Sequence, residues 1–488
     1  MASAEQVKEK IEELIELANH TSGKSDSTLY QAILTLVSGY GGVSGLGAST
    51  GTYGGLYAEG MSAGDFVEIV PSFGSGTLTT ETATAVKIIP LTDSKVMVVY
   101  STSLNVYAQL ITGGGESWII SDPFEVALTL PEFSFAAVAL GQNKVLVVTQ
   151  NRSYSGASDL EYGNGLAYVL TVNGDQITKK INRISLGTTM YDLALVALSE
   201  NKVLAVYRYG TDYGNGHARV LTVTETTIKT GAYYPFDLSS RKPQAVALTD
   251  SKVLVAYETF DGSEGRAVVL SCSDTTVTKG SGYTFRTGAS SDLALTALDK
   301  RRALLVYRDA ATTGYLTATV LQVTGTSVTT VNSPSLTFTK YGGTKPAVVR
   351  VNDDVVLMTA NVLTQSEGYA PQALLLTVSE SGISKGTELQ LPNGKKAQDT
   401  LHALAVTSEG NAVAVYTKLD MSGATGLAWQ GFSATETALN YQLERGAHVV
   451  PLTSEKYPVG VVKSILENPG GGTPIVFAYK AGTPADTE

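Results

Sequence analysis

Residues Pro243–Tyr257 read PQAVALTDSKVLVAY, two short apolar segments around a polar turn. The pattern predicts a strand over Ala245–Leu248, a turn over Thr249–Lys252 and a second strand over Val253–Tyr257. The second strand is apolar at every position instead of alternating, so it needs protein cover on both of its faces. A strand of this kind is expected between two neighbouring sheets.

The chain repeats this stretch along most of its length. Related versions end at Tyr100, Thr149, Tyr207, Tyr307, Thr359 and Tyr416, and a degenerate version is His448–Val462. With Tyr257 included, subtracting neighbouring end positions gives spacings of 49, 58, 50, 50, 52, 57 and about 46 residues. A strand-rich period near fifty residues predicts sheets that are repeated around an axis or along a line.

A full repeat is expected to contain four strands. After the two strands of Pro243–Tyr257, further strands are predicted over Arg266–Ser271 and Thr275–Phe285, and the last of these is polar and rich in threonine. Apolar inner strands and a polar outer strand, repeated around a ring, are the pattern of a β-propeller blade. The predicted fold class is therefore all-β, and the body of the chain resembles β-propellers as a class.

The repeats predict an eight-bladed ring. The last repeat supplies three strand segments but no outer strand: His448–Leu452, Pro458–Ile465 and Pro474–Tyr479. Asp65–Phe73, in contrast, belongs to no repeat. Pairing of Asp65–Phe73 with the last sheet would close the ring and leave no unpaired edge. A seven-bladed ring is the alternative, in which the irregular last repeat is not a blade.

Two short helices are predicted before the repeats. Ala4–Ala18 and Leu29–Val37 place apolar residues at helical spacing, and Gly39 ends the second helix. Because helices this short cannot bury their apolar faces alone, we expect them to pair with each other and with a partner. The residues expected to form these contacts are Val7, Ile11, Leu14, Ile15, Leu29, Ile33, Leu34 and Val37.

The same N-terminal region resembles a known type of segment. GKSDSTLYQAILTLVSGYGG, preceded by a helix ending in ELIELANH, is similar to the N-terminal segment of tail and other virion structural proteins of phages and prophages of Gram-positive bacteria. The resemblance implies an attachment module that binds other virion proteins in the tail, baseplate or capsid, with a variable domain behind it. A helical hairpin that only caps the body of the chain is the alternative interpretation.

A glycine-rich joint follows the helices. Gly39–Gly64 contains ten glycines interspersed with serine and threonine, a composition typical of a flexible linker. The predicted domains are a helical anchor over residues 1–38, a linker over residues 39–64, a β-propeller over residues 65–482 and a tail over residues 483–488.

Charge and cysteine content exclude several classes of partner. The net charge is −10 and there is no basic run, which argues against a nucleic-acid partner. The single cysteine, Cys272, excludes an internal disulfide and a cysteine-built metal site. No segment reaches the ~20 apolar residues of a membrane span, so no membrane partner is expected. The charged N-terminus does not match a signal peptide, so we expect synthesis in a host cytoplasm. The resemblance to virion proteins implies a final location in the virion.

The sequence carries no catalytic signature. HExxH, CxxC and GxSxG are absent, and Asp261–Gly265 and Asn352–Asp354 fit turns better than calcium loops. The four histidines are scattered along the chain: His20, His217, His402 and His448. We therefore predict no metal, no cofactor and no enzymatic activity. Glycoside hydrolysis by a carboxylate pair remains the open alternative, because 45 acidic residues are present.

The loops that join second to third strands are the best candidate binding surface. In a propeller these loops share one face with the connections between blades, and two of them repeat Tyr-Gly-Asn-Gly at residues 162–165 and 213–216. Asn-Gly favours a tight turn, but the turn does not require the tyrosines. Exposed tyrosine gives broad apolar contact at low entropic cost. The predicted ligand-binding residues are Tyr154, Tyr162, Tyr209, Tyr213, Tyr315, Tyr369, Arg208 and Arg308.

These features predict a phage virion protein that displays a β-propeller in many copies. The expected role is that of a tail fibre or receptor-binding adhesin that contacts a bacterial surface glycan or protein. Neither short helix carries the three or four heptads that a stable coiled coil needs, so the oligomeric state stays open. A capsid decoration or head-fibre protein is the alternative within the structural class, and an envelope-polysaccharide depolymerase is the alternative among enzymes.

Overall fold

The computed structural model describes residues 66–69, 75–103, 105–114, 117–128, 135–150, 164–209, 214–310, 314–331, 336–337, 342–364, 368–379, 382–391, 401–407, 412–419, 425–432, 449–451, 460–466 and 475–479. Both predicted helices, the glycine-rich linker and the C-terminal tail lie outside these residues. No helix within the described ranges is long and apolar enough to cross a membrane. The chain divides into a large unit, Phe73–Glu436, and a terminal unit formed by Met1–Ser72 with Thr437–Glu488.

Strands make up the described fold, which confirms the predicted all-β class. Two short strands come first, β1 (Phe66–Ile69) and β2 (Ser75–Thr79). Sheet 1 contains β3 (Ala85–Thr92), β4 (Lys95–Ser101), β5 (Asn105–Gly114), β6 (Ser117–Ile120) and β7 (Phe124–Leu128). Sheet 2 contains β8 (Phe135–Ala139), β9 (Lys144–Gln150), β10 (Asn164–Asn173) and the first half of β11 (Gln176–Ser199). Sheet 3 contains the second half of β11, β12 (Lys202–Tyr209), β13 (Gly216–Val223), β14 (Ile228–Thr230) and β15 (Tyr234–Asp237).

Four more sheets complete the large unit. Sheet 4 contains β16 (Arg241–Ala247), β17 (Lys252–Glu258), β18 (Glu264–Cys272), β19 (Val277–Lys279) and β20 (Tyr283–Thr287). Sheet 5 contains β21 (Ser290–Ala297), β22 (Arg302–Asp309), β23 (Tyr315–Thr324), β24 (Ser327–Thr330) and β25 (Leu336–Thr337). Sheet 6 contains β26 (Gly343–Arg350), β27 (Val355–Thr364), β28 (Gly368–Ser379) and β29 (Gly382–Gln390). Sheet 7 contains β30 (His402–Val406), β31 (Ala412–Leu419), β32 (Thr425–Phe432) and β2.

The first strands of the seven sheets contact one another in a cycle. The order of contact is β3, β8, β11, β16, β21, β26, β30 and then β3 again. In each sheet, antiparallel strands run outward from this inner strand, so the large unit has a propeller-like architecture. The predicted count of eight blades is not confirmed, because the cycle of inner strands in the large unit closes after seven sheets.

The closing strand is not the predicted one. Sheet 7 receives its outer strand from β2, whose residues pair with β32 between Ser75↔Gln430 and Thr79↔Leu427. The prediction placed this role on Asp65–Phe73, a few residues earlier. The difference has a physical reason, since the outer edge of a sheet faces solvent and the sequence of β2, SGTLT, is polar.

The terminal unit contains one four-stranded sheet of its own. Its strands are β33 (Val449–Pro451), β34 (Gly460–Leu466), β35 (Ile475–Tyr479) and β1. The prediction that Asp65–Phe73 supplies a strand to the C-terminal sheet is confirmed, but its place as the outer strand is wrong. β1 lies between β33 and β34 and pairs with both, through Val67↔Pro451 and Phe66↔Val461. Its apolar sequence, FVEI, suits such an inner position.

The fourth strand of several sheets is split. The predicted strand Thr275–Phe285 is observed as two strands, β19 and β20, which both pair with β18. Gly280 interrupts them, and a Cβ atom at Gly280 would lie 2.0 Å from the carbonyl oxygen of Thr326 in the neighbouring sheet. The chain therefore breaks its pairing where the next sheet approaches the backbone most closely.

The close approach of β32 to the closing strand gives a test of the ring. A Cβ atom at Gly426 would lie 2.2 Å from the carbonyl oxygen of Thr79 in β2. We expect Gly426→Ala to push β2 outward and to lower the free energy of unfolding by about 1–3 kcal/mol. Urea denaturation followed by circular dichroism measures this change.

Gly282→Ala is the matched control for this substitution. No atom lies within 4 Å of a Cβ built at Gly282, so this variant should unfold like the wild type. Equal stability of the Gly426→Ala and Gly282→Ala variants would show that β2 does not close the ring in this way.

Candidate functional site

Four charged residues adopt a left-handed backbone at equivalent positions in sheets 3 to 6. The φ angles are 49° at Asp192, 48° at Lys242, 50° at Asp292 and 51° at Lys345. Each lies in a β-bulge at the start of a first strand, where the register with the second strand shifts. This backbone region costs roughly 1–2 kcal/mol for a residue other than glycine, and such strain clusters at functional sites. We call these four residues the charged ring.

The charged ring is largely neutralised by ion pairs. Arg208 Nε lies 2.9 Å from Asp192 Oδ2, and Lys345 Nζ lies 3.8 Å from Asp292 Oδ1. Lys242 Nζ lies 3.7 Å from Oε1 of Glu258, whose other oxygen lies 2.8 Å from Arg241 Nε. Burial raises the pKa of the fully buried Glu258 carboxyl, although both cations act in the opposite direction. The charges of sheets 3 to 6 thus compensate one another.

The ring surrounds a cavity on the axis of the large unit. This axial cavity has a volume of about 530 Å³ and is lined by the first strands of all seven sheets. The volume lies within the range of roughly 300–1,000 Å³ that is usual for small-molecule sites. Its charged or titratable lining residues are Lys87, Asp192, Lys242, Asp292, Lys345 and His402.

His402 lines the cavity in a neutral form. Its Nε2–H donates to Asn361 Oδ1 at 2.9 Å, while its Nδ1 is buried without a hydrogen-bond partner in the described part of the chain. Burial lowers the pKa of His402 to about 3, because the surrounding protein disfavours the charged imidazolium. The imidazole therefore adds polarity to the cavity wall at neutral pH, but no charge.

Aromatic side chains form a second feature, on the rim of sheet 3. The rings of Tyr209 and His217 are stacked with centroids 4.8 Å apart, and His217 stacks on Tyr233 at 5.4 Å. His217 is almost fully buried between them, whereas Tyr209 is 44% exposed and Tyr233 is 65% exposed. The stack holds the two exposed phenol rings against the buried imidazole of His217.

A neighbouring apolar surface joins sheets 3 and 4. Phe260 lies over Gly214, where an added Cβ would come within 2.4 Å of the phenyl ring, and Gly214 itself has a φ of 77°. The Phe260 N–H donates to Ser239 Oγ at 2.9 Å, next to the highly exposed Leu238. We call Tyr209, Tyr233, Leu238 and Phe260 the apolar patch, and all four lie on the face that carries the second-to-third-strand loops and the connections between sheets.

The structure places five of the predicted ligand-binding residues and leaves three outside the described ranges. Tyr209 belongs to the apolar patch, and Tyr315 and Tyr369 begin the third strands of sheets 5 and 6, where both are partly exposed. Arg208 pairs with Asp192 and lies over the Tyr191 ring, 4.8 Å from its centroid. Arg308 is the second-last residue of β22, and its buried Nε lacks a hydrogen bond among the described residues. The three outside the described ranges are Tyr154, Tyr162 and Tyr213.

Both segments considered for calcium are occupied by turn hydrogen bonds. Asp261 Oδ1 accepts from the N–H of Ser263 at 3.0 Å and from its hydroxyl at 2.8 Å. Hydrogen bonds from Thr259 and Ser263 lower the pKa of Asp261 to about 2. Asn352 Oδ1 accepts from the N–H of Asp354 at 3.0 Å. Within the ranges that the structure describes, no group of three His, Cys, Asp or Glu side chains could hold a metal ion.

Comparisons with known proteins give remote structural likenesses. No protein-family model and no curated protein matches the chain. The K499G mutant of the NanB sialidase from Streptococcus pneumoniae is 12% identical, with 76% of this chain and 70% of that chain covered and a TM-score of 0.42. A protein from Lactobacillus plantarum is 13% identical, with 68% and 96% covered and a TM-score of 0.46. A structure from a study of two prolyl endopeptidases is 9% identical, with 86% and 54% covered and a TM-score of 0.46.

These likenesses overturn one prediction. The expectation that the chain is not an enzyme is contradicted, because a sialidase and a prolyl endopeptidase are among the similar structures. We withdraw that expectation. At this level of similarity no activity, substrate or partner passes from those proteins to this chain.

Sequence reasoning missed the charged ring and most of the apolar patch. A usable signal was present for the ring, because Asp-Leu or Lys-Pro directly precedes the repeated first strand at residues 192, 242, 292 and 345, at spacings of 50, 50 and 53 residues. No comparable signal marks Tyr233 or Phe260. Their positions depend on how neighbouring sheets meet.

The low pKa of His402 predicts a specific acid sensitivity. Between pH 6.5 and about 3 the unfolded chain binds a proton at this histidine and the folded protein does not, so stability falls as the pH falls through this window. We expect His402→Gln to remove this contribution, which is on the order of 2–3 kcal/mol between pH 7.5 and 4.5. Urea midpoints of both proteins at the two pH values measure it, and an equal loss of stability in both would contradict the neutral buried state.

Proposed function

We propose that the protein binds a cell-surface glycan or protein through the apolar patch. One observation carries this proposal. Among the described residues, five large apolar side chains are exposed, and four of them form the apolar patch on a single face. Scattered single exposures are normal on a protein surface, whereas a cluster on one face is typical of a contact surface.

The geometry of the patch suits recognition of a broad surface. Tyr209 and Tyr233 are held by His217, so contact with a ligand would restrict few further side-chain rotations. A tyrosine ring offers an apolar face to a sugar ring or to an apolar side chain, and its hydroxyl can still form a hydrogen bond. A patch of this kind gives a weak single contact, which display in many copies would strengthen.

We further propose that the protein is a phage virion component and that the large unit is a seven-bladed β-propeller closed by β2. Support for the virion location comes from the N-terminal segment, which resembles the attachment segments of tail and other virion proteins. In this proposal the predicted N-terminal helices bind the particle and the propeller faces outward. The role of a tail fibre or adhesin explains why the apolar patch is exposed. The role of a capsid decoration protein would also use the attachment module, but it does not require the patch.

The apolar patch can be tested by truncating its two tyrosines. We expect Tyr209→Ala and Tyr233→Ala each to weaken binding of the full chain to host cells by about tenfold, since central aromatic contacts typically contribute more than 1 kcal/mol. Flow cytometry with the fluorescently labelled protein measures the binding. Thermal unfolding confirms that the variants are folded.

Ile119→Ala is the control, because Ile119 is 63% exposed but lies in the outer part of sheet 1. Unchanged binding by both tyrosine variants would contradict the proposal. Hydrolysis of purified host polysaccharide that is lost in Asp192→Asn or Asp292→Asn, without any effect of the tyrosine variants, would favour a depolymerase instead.

The attachment proposal predicts a separate effect of the N-terminal helices. A charge at Leu14 or Ile33 would disrupt the predicted apolar face, so Leu14→Glu and Ile33→Glu should abolish incorporation into phage particles and leave binding to cells unchanged. Immunoblotting of purified particles measures incorporation, with Glu9→Gln on the polar side of the first predicted helix as the control. Normal incorporation of both glutamate variants would contradict an anchor made of these helices.

A further inference from the structure

Lys87 occupies a position that is not basic in any other sheet. The pairing between first and second strands identifies one equivalent residue in the first strand of each sheet. Each of these residues pairs with the same position of its second strand. Five of these residues are alanine and one is glutamine. In chain order the seven are Lys87, Ala136, Ala194, Gln244, Ala294, Ala347 and Ala403.

Among the described residues, the first strands on either side of Lys87 place no acidic group beside it. Lys87 is exposed to the axial cavity, whose wall it lines. The first strands on either side of it, β8 and β30, have the sequences FAAVA and HALAV and therefore contribute no carboxylate. The small alanines at the same level of the ring leave room beside the ammonium group.

Lys87 is also left out of the ion pairs that neutralise the charged ring. Lys242 and Lys345 each have a carboxylate within 4 Å, whereas Lys87 forms no hydrogen bond or ion pair with any residue that the structure describes. Surrounding protein lowers the pKa of the Lys87 ammonium group, and no carboxylate offsets this effect. An ammonium group in such a place is stabilised by any anion that can reach it.

We propose that the axial cavity binds the acidic group of a small saccharide or polyol derivative, with the Lys87 ammonium group as the counter-ion. A sugar carboxylate and a polyol phosphate share this chemistry, because both present an oxyanion next to hydroxyl groups. The hydroxyl groups would lie among the polar residues of the cavity wall. This site is separate from the apolar patch and goes beyond the surface contact proposed above.

Isothermal titration calorimetry on the full chain tests the site. The probes are glucuronate, glycerol 1-phosphate and neutral glucose. We expect the wild type to bind at least one of the two acids and not glucose, and the comparison of the two acids identifies the preferred anion. Lys87→Gln, which introduces the residue found at Gln244 of sheet 4, should weaken this binding at least tenfold, while Lys87→Arg should retain it.

Lys252→Gln is the matched control, because it removes the same charge from a lysine whose Nζ bonds the exposed Gly325 carbonyl oxygen at 3.0 Å. This variant should bind the acid like the wild type. A measurement that needs no variant is the rate of acetylation of the wild-type lysines, followed by mass spectrometry. A bound acid should slow acetylation of Lys87 relative to Lys252.

Three results would overturn the proposal: binding of neither acid by the wild type, equal binding by Lys87→Gln, or equal acetylation of Lys87 with and without the acid. Each of these results can occur while Tyr209→Ala and Tyr233→Ala still weaken binding to cells. Failure of this site is therefore distinguishable from failure of the proposed surface contact.

Discussion

The fold depends on second strands that are buried on both faces. In β17, alternate residues point to opposite neighbours: Val253, Val255 and Tyr257 pack with sheet 3, and Leu254 and Ala256 pack with sheet 5. All five are essentially inaccessible to water, and burial of each larger side chain contributes about 1.5–3 kcal/mol. Because every sheet needs a neighbour on each side, an open row would leave two apolar faces in water. A closed ring is the arrangement that covers all of them.

This constraint explains which parts of the fold could be predicted from the sequence. A strand covered on both faces is apolar at every position, so the second strands and their period can be recognised from the amino-acid sequence alone. The outer strands are polar and short, and β2 belongs to no repeat. Their pairing is decided by chain closure and by the backbone of the next sheet, as the contact between Gly280 and Thr326 shows. The number of blades could not be fixed from the sequence for the same reason, because the last repeat has the strand pattern of a blade.

One part of the candidate site could likewise be predicted from the sequence, and another part could not. The face that carries the loops could be predicted, since its location follows from strand order alone, and Tyr209 was predicted to lie on it. The support that His217 and Tyr233 give to Tyr209 could not be predicted, because it brings together three separate parts of sheet 3. The charged ring repeats with the period of the sheets and was therefore accessible to sequence reasoning. What one sequence does not show is that the bulges aim these residues into a common cavity.

The positions at which the seven sheets differ in sequence say more about a binding site than the positions that they share. Packing against neighbouring strands accounts for alanine at most of the equivalent positions, and the alternating charges of sheets 3 to 6 are neutralised by ion pairs with nearby side chains. In sheets 1, 2 and 7 the described starts of β3, β8 and β30 pair in continuous register, without such a bulge. Neither packing nor internal pairing explains a lysine in that sector, because a glutamine fits the same position in sheet 4. A charge that no described residue neutralises is best explained by an anion that the cavity receives from outside.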